Sequence, residues 1–291
     1  MNRWMAILVA ASASLFPTAC SKSNDSTGPS PIPTPNSTIT YTALGASDVI
    51  GFGASSFCTP WDDCANGKGY VQVAARDLRA RGFTVKAKPL GLPGAVFSRR
   101  ILSLGVQYGR DDLLATIVEH EIPFIQTDTT LITIFAGGND VNVITGALGR
   151  GAGGADRTGY INNQISAFGQ DFSGALQAIR QTVPSARIVV LNLPNMGAMP
   201  FLAGAARDHR LAAQMLSVGI TTTVYNPLIS SGAIVIDLMC DARSYQASTY
   251  SSDGFHPSDL GYAWIAAEVV AAATTPYRSP TATCSHMTTV Q

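Results

Sequence analysis

Charge is scarce in this sequence. Only 13% of its 291 residues are Asp, Glu, Lys or Arg, and 19 basic side chains balance 19 acidic ones. There is no run of Lys or Arg. A partner held mainly by phosphate neutralisation is thereby excluded, so no nucleic acid is expected. Long apolar runs are missing too: Met5–Phe16 (MAILVAASASLF) is too short to span a bilayer comfortably. No Cys/His spacing resembles a zinc site, and neither a metal nor another cofactor is expected. A Gly-x-Ser-x-Gly elbow, a Ser-x-x-Lys pair, a His-Glu-x-x-His helix and a Walker loop are all lacking. No internal repeat is found.

What the chain has in quantity is hydrophobic residue, 46% of the total. That suffices for one large α/β domain or two small ones and makes disorder an affair of the ends. Arg3 ahead of the apolar Met5–Phe16 segment reads as an export signal. The segment closes on Pro17-Thr18-Ala19-Cys20, and small residues before a cysteine resemble a bacterial lipobox, with Pro17 in place of the usual aliphatic residue. The expectation is a lipoprotein-type signal over residues 1–20, cut before Cys20, with lipid on that cysteine; plain secretion into periplasm or medium is the alternative. Residues 21–38, rich in Ser, Pro, Thr and Asn, cannot bury a core and are expected to be a disordered tether. Residues 39–291 form the folded domain, expected to be a monomer that meets a membrane only through the lipid.

Cysteine parity agrees with export. Of five cysteines, Cys58, Cys64, Cys240 and Cys284 remain if Cys20 carries lipid. An even number in an oxidising compartment predicts two disulfides. Sequence leaves the pairing open. The short span from Cys58 to Cys64 favours a local bridge there and Cys240–Cys284 elsewhere, and four buried free thiols are the alternative.

From Ile39 onward strand and helix patterns alternate, the signature of a parallel sheet covered on both faces. Strands are expected at 39–46, 84–90, 130–136, 186–193 and 233–239. Tyr70–Arg81 places Val71, Ala74, Ala75 and Leu78 on one helical face. Tyr160–Val183 carries Ile161, Ile165, Phe168, Phe172, Leu176 and Ile179 at steps of three and four, and Pro184 ends it. Ala205 to about Ser230 reads as mostly helical, and Pro257–Ala273 as a last helix with Pro257 in its first turn. The fold class is α/β, one domain on a five-stranded open sheet.

In such sheets chemistry gathers beyond the carboxyl ends of the strands. Gly45-Ala46-Ser47-Asp48 follows the first strand, Gly91–Ser98 (GLPGAVFS) the second, Gly137-Gly138-Asn139-Asp140 the third, and Asp253-Gly254-Phe255-His256 lies in the loop after the fifth. A serine hydroxyl needs an imidazole to take its proton, and the imidazole needs a carboxylate to fix its tautomer. Ser47, His256 and Asp253 can meet those needs. Backbone N–H groups of Ser47 and Gly94 with the Asn139 amide can receive an oxyanion. His120, His209 and His286 have no aspartate three residues before them in such a loop. Asp140 reads as a turn residue, and Gly146–Gly159 as either a lid or a plain connection.

These four blocks, in this order, resemble the SGNH (GDSL-type) esterases and lipases, from about Thr42 to Tyr262. The resemblance implies a flavodoxin-like three-layer α/β/α sandwich and a metal-free hydrolysis of carboxylic esters or thioesters. It implies a catalytic triad of Ser47, Asp253 and His256, and an oxyanion hole of Ser47, Gly94 and Asn139. The substrate is expected to be a short-chain, acetylated-sugar or lipid ester. One block departs from the pattern: it reads Gly-Ala-Ser where the family has Gly-Asp-Ser. Ala46 therefore removes a hydrogen-bonding support of the loop, for which Asp48 is the replacement nearest in sequence. A catalytically weak surface binding module of the same fold is the competing expectation.

Overall fold

The computed structural model describes residues 30–113, 115–277, 280 and 284–291. The export signal and Cys20 lie outside them. In chain order the elements are β1 (Thr38–Gly45), α1 (Ser47–Ile50), α2 (Tyr70–Ala80), β2 (Thr84–Pro89), α3 (Arg99–Gln107), α4 (Ile117–His120), β3 (Leu131–Phe135), α5 (Gly138–Gly149), α6 (Arg157–Thr182), β4 (Arg187–Leu191), α7 (Arg207–Ile220), β5 (Ile234–Ile236) and α8 (Asp259–Thr274). The five strands form one sheet in the order β2-β1-β3-β4-β5, and every ladder is parallel. This is the three-layer α/β/α fold expected from the alternating pattern.

Burial on both faces explains the strand composition. The inner strands β1, β3 and β4 are almost wholly buried and rich in β-branched residues, as parallel strands under two helical layers must be. One face of the sheet packs with Ile101 of α3, Ile144 of α5, Phe168 and Phe172 of α6 and Leu216 of α7. The other packs with Val71, Ala74 and Leu78 of α2 and Ile265 and Val269 of α8. Helix starts are set by local side chains: Asp156 accepts the Gly159 N–H at 2.8 Å before α6, and Ser258 caps α8 by accepting the Gly261 N–H at 3.3 Å.

Three expected boundaries move. α8 begins at Asp259, so Pro257 lies ahead of the cap rather than in the first turn. β5 stops at Ile236 because the Asn192 carboxamide oxygen takes the next available N–H groups, those of Leu238 and Met239. The helix after β4 passes at Thr221–Tyr225 into a π turn and then a 3-10 stretch, Asn226–Ser231. The run Gly146–Gly159 spans the end of α5, a turn and the start of α6. Its first residues complete α5, and the Ala152 N–H and the Arg157 guanidinium close the turn on the Ala147 and Leu148 carbonyls.

Both disulfides pair as favoured, Cys58 with Cys64 and Cys240 with Cys284. The second holds the tail, where Val290 is buried and the Thr288 carbonyl accepts from Asn195. From residue 30 the chain follows the amino edge of the sheet. The buried Arg187 guanidinium donates to the Ala272 and Thr275 carbonyls at the end of α8 and to the Ser30 carbonyl. Ser30 Oγ in turn donates to the Ala186 carbonyl at 3.0 Å. Among the described residues no helix is long and apolar enough to cross a membrane.

Candidate active site

The strand order sets where a site can form. β1 sits between β2 and β3, so the connections leaving β1 and β3 diverge and open a crevice at their carboxyl ends. Ser47 follows β1 there as the first residue of α1, a single turn whose early N–H groups have no intrahelical acceptor. Asn139 sits one residue into α5, beyond β3. Gly94 lies in the loop after β2.

Ser47 Oγ lies 2.8 Å from His256 Nε2, and His256 Nδ1 lies 2.6 Å from Asp253 Oδ2. The loop that carries the pair is tightly wound. Asp253 Oδ1 accepts the N–H groups of Phe255 and His256, at 2.8 and 2.9 Å, and the Ser251 hydroxyl at 2.9 Å. Ser251 N–H closes the loop on the His256 carbonyl. Partial burial alone would raise the Asp253 carboxyl. The hydrogen bonds from the His256 ring, from the two N–H groups and from Ser251 outweigh it and hold the group at about 2. The Asp253 carboxylate is therefore ionised wherever the protein is folded near neutrality, and it orients the Nδ1–H tautomer that leaves Nε2 free to accept from Ser47.

Close approach is bought by one glycine. A Cβ at Gly53 would stand 2.7 Å from the His256 Cβ, so a side chain there would push the imidazole away from Ser47. The ring itself is fixed edge-on between Phe52 and Phe255, with centroids 4.8 and 4.9 Å away.

Gly94 and Asn139, expected to receive an oxyanion together with Ser47, follow the two strands that flank β1. Gly94 has φ of +74°, a left-handed conformation that L side chains rarely adopt. Among the described residues neither the Ser47 nor the Gly94 N–H has a protein acceptor. Asn139 Nδ2 donates to the Ala95 carbonyl at 2.9 Å, which fixes the amide and ties it to the Gly94 loop. Behind them lies a largely apolar cavity of about 60 Å³, lined by Ala46, Ala95, Asn139, Leu193, Met199 and Phe255 among others.

Two buried carboxyls lie behind these loops: Glu121, which no sequence motif singles out, and Asp140, expected as a turn residue but placed in the first turn of α5. Asp140 is fully buried and takes the Phe97 N–H between its two oxygens at 3.1 Å, so it braces the Gly94 loop from beyond β3. Burial pushes its carboxyl up to about 7, against the pull of that N–H. Glu121, also fully buried, accepts the Gly45 N–H at 2.9 Å and the Leu92 N–H at 3.4 Å. Burial raises it far above the ordinary carboxylate range. Asp48 does not take over that support. Its carboxyl borders the cavity, with one long contact of 3.5 Å from the Tyr262 hydroxyl. Of the rival histidines, His120 hydrogen-bonds within its own turn, to Thr116.

A family model described as the GDSL-like lipase/acylhydrolase family matches residues 43–264. The chain belongs to that family. As a GDSL-like acylhydrolase it is a carboxylic ester hydrolase. Two solved lipases share its fold. A goat-rumen metagenome lipase, Lip_vut3, is 18% identical with a TM-score of 0.52, the match covering 81% of this chain and 98% of that one. The extracellular lipase of Streptomyces rimosus is 19% identical with a TM-score of 0.50, over 81% of this chain and 100% of that one. No curated protein matches the sequence.

Proposed function

We propose that this GDSL-like hydrolase cleaves carboxylic esters through an acyl-enzyme on Ser47, with His256 as base and then acid and Asp253 as its orienting carboxylate. The observation that carries the reading is the unbroken relay from Ser47 Oγ through the imidazole to Asp253, at 2.8 and 2.6 Å. His256 Nε2 takes the hydroxyl proton as Oγ attacks the ester carbonyl carbon. The oxyanion is received by the Ser47 and Gly94 N–H groups and the Asn139 amide. The imidazolium then protonates the departing alcohol, and a water molecule repeats the sequence to release the acid.

The two halves of the substrate lie on opposite sides of Ser47. The acyl group points to the cavity beside Asn139, and its volume of about 60 Å³ suits a short chain. An apolar cavity that takes benzene measures on the order of 150 Å³. The alcohol leaves past His256, where Phe52 and Phe57 are exposed and pack on each other at 5.5 Å. Two disulfides suit an oxidising compartment, and we take the protein to be exported, with a lipid on Cys20.

Hydrolysis of p-nitrophenyl acetate tests the reading. The Ser47→Ala protein should lose at least ~10³-fold in kcat and should not take up a fluorophosphonate label that the wild type accepts. Acetyl to butyryl esters should be turned over faster than octanoyl ones. Retained turnover in folded Ser47→Ala would falsify the assignment of the nucleophile. A wild type with neither turnover on any ester nor label would instead be a binding module.

A further inference from the structure

Glu121 stands outside every motif in the sequence, yet its side chain reaches the two loops from which the oxyanion donors hang. Oε2 accepts the N–H of Gly45, two residues before Ser47, and Oε1 that of Leu92, two residues before Gly94. The carboxyl is completely buried and comes from a chain segment 76 residues away from Gly45 in sequence. We infer that Glu121 is a positioning residue for the oxyanion pocket: one carboxyl sets the spacing between the Ser47 and Gly94 backbone donors. The inference rests on the function proposed above and adds a residue that touches no reacting atom.

Three observations support more than a filling role. First, the clamp is itself held. Thr116 caps α4 by accepting the Glu119 N–H, the Glu121 N–H donates to Ile117, and the Glu121 carbonyl receives Phe124 N–H. The carboxyl thus projects from a fixed turn rather than a free loop.

Second, the same turn is stitched to the Gly94 loop. Val96 N–H donates to Ala115, Ile117 N–H to Val96 and Val118 N–H to Phe97. Segment 115–121 therefore braces the loop along its outer side, and Glu121 carries that brace across to β1.

Third, among the described residues no other hydrogen bond joins these two peptides. Ala46 has no side-chain acceptor, and Asp48 faces the cavity. The backbone bond from Leu90 N–H to the Ala43 carbonyl ties the strands just before the loops diverge. Beyond it, Glu121 is the side chain that bridges them.

The energetic consequence is specific. A buried N–H that loses its acceptor must turn toward another one, which moves the peptide that carries it. Gly45 and Leu92 can each reorient only by dragging Ser47 or Gly94. Oxyanion donors work at about 2.7–3.1 Å from the developing charge, so a shift of a few tenths of an ångström weakens the transition state while leaving ground-state binding intact.

The test compares Glu121→Ala, Glu121→Gln and, as control, Glu119→Ala. Glu119 lies on the same turn but pairs outward with Arg99 at 2.8 Å. Kinetics with p-nitrophenyl acetate are expressed per fluorophosphonate-titratable Ser47, so unfolded molecules do not count. Glu121→Ala should lower kcat ~10–100-fold with KM within about twofold of wild type. Glu121→Gln keeps one carbonyl acceptor but sets an NH₂ against the other N–H, and should fall between. Glu119→Ala should match wild type. If Glu121→Ala cannot be folded, the Gln protein decides: reduced kcat at unchanged KM supports the inference, and wild-type kcat overturns it. Wild-type kcat per titrated site in Glu121→Ala overturns it as well, and so does an equal loss in Glu119→Ala. None of these outcomes would touch the role of Ser47, whose own substitution tests the hydrolase reading separately.

Discussion

The Asp140 carboxyl couples the packing behind Asn139 to the acidity of the medium. Burial raises it to about 7 in the folded chain, from an ordinary value near 4. A group raised in this way stabilises the fold fully below its unfolded pKa, and that contribution is lost as pH climbs from about 4 through 7. Asn at this position keeps an oxygen for the Phe97 N–H and has no proton to lose. The melting temperature of Asp140→Asn should therefore gain on wild type steadily between pH 5 and 7 and level off above that. An offset that stays constant over that range would mean the buried carboxyl does not titrate there. Asp253 works in the opposite sense. Held at about 2, it contributes stability present above pH 4 and lost as pH falls toward 2. Asp253 thus contributes to the acid limb of a pH–stability curve, and Asp140 to the limb between acid and neutrality.

At the scale of elements, α6 does more than cover the sheet. Phe172 of α6 stacks on Phe97 with centroids 5.1 Å apart and meets Tyr225 edge-on at 5.0 Å. The Tyr225 hydroxyl donates to the Ala136 carbonyl at 3.0 Å, immediately before Gly137-Gly138-Asn139. The cluster therefore sets the backs of the loops that carry Gly94 and Asn139 together. Phe172→Ala should cost about 3–5 kcal/mol in urea unfolding, and a loss under 1 kcal/mol would show that the cluster is dispensable. The stripe that buries Phe168 and Phe172 was legible because a period of three and four is written along the chain. The ends of β5 and α8 were not. β5 yields its next N–H groups to Asn192, a partner 46 and 47 residues away, and no local pattern announces that exchange. Whether a Gly-rich run is mobile or folded is equally nonlocal, since Arg157 closes Gly146–Gly159 by reaching back to Leu148.

For the molecule as a whole, what could be read ahead of the structure was what is local in the chain. Ser47 beside its glycines, Asn139 after a buried strand, and Asp253 three residues before His256 are short patterns whose chemistry constrains neighbours. Parallel strand order then brings them to one edge. Glu121 and Asp140 escaped because their partners lie 76 and 43 residues away, and a lone acidic residue carries no mark of its burial. The Cys240–Cys284 bridge is a link of the same long-range kind, closing a separation of 44 residues. Replacing both cysteines by serine should lower stability by about 2–4 kcal/mol and leave kcat for p-nitrophenyl acetate unchanged. A matching fall in kcat would place the tail among the parts that shape the site.

Arg187 gives the molecule a polarity. Its guanidinium fastens Ser30 to the amino edge of the sheet, while Ser47 lies past the far end of β1, eight residues and roughly 26 Å away along the strand. Whatever holds this chain by its leading segment holds it by the blunt pole. With the proposed lipid on Cys20, Ser47 would face away from the membrane, and the body of the domain would serve as its own standoff from that surface.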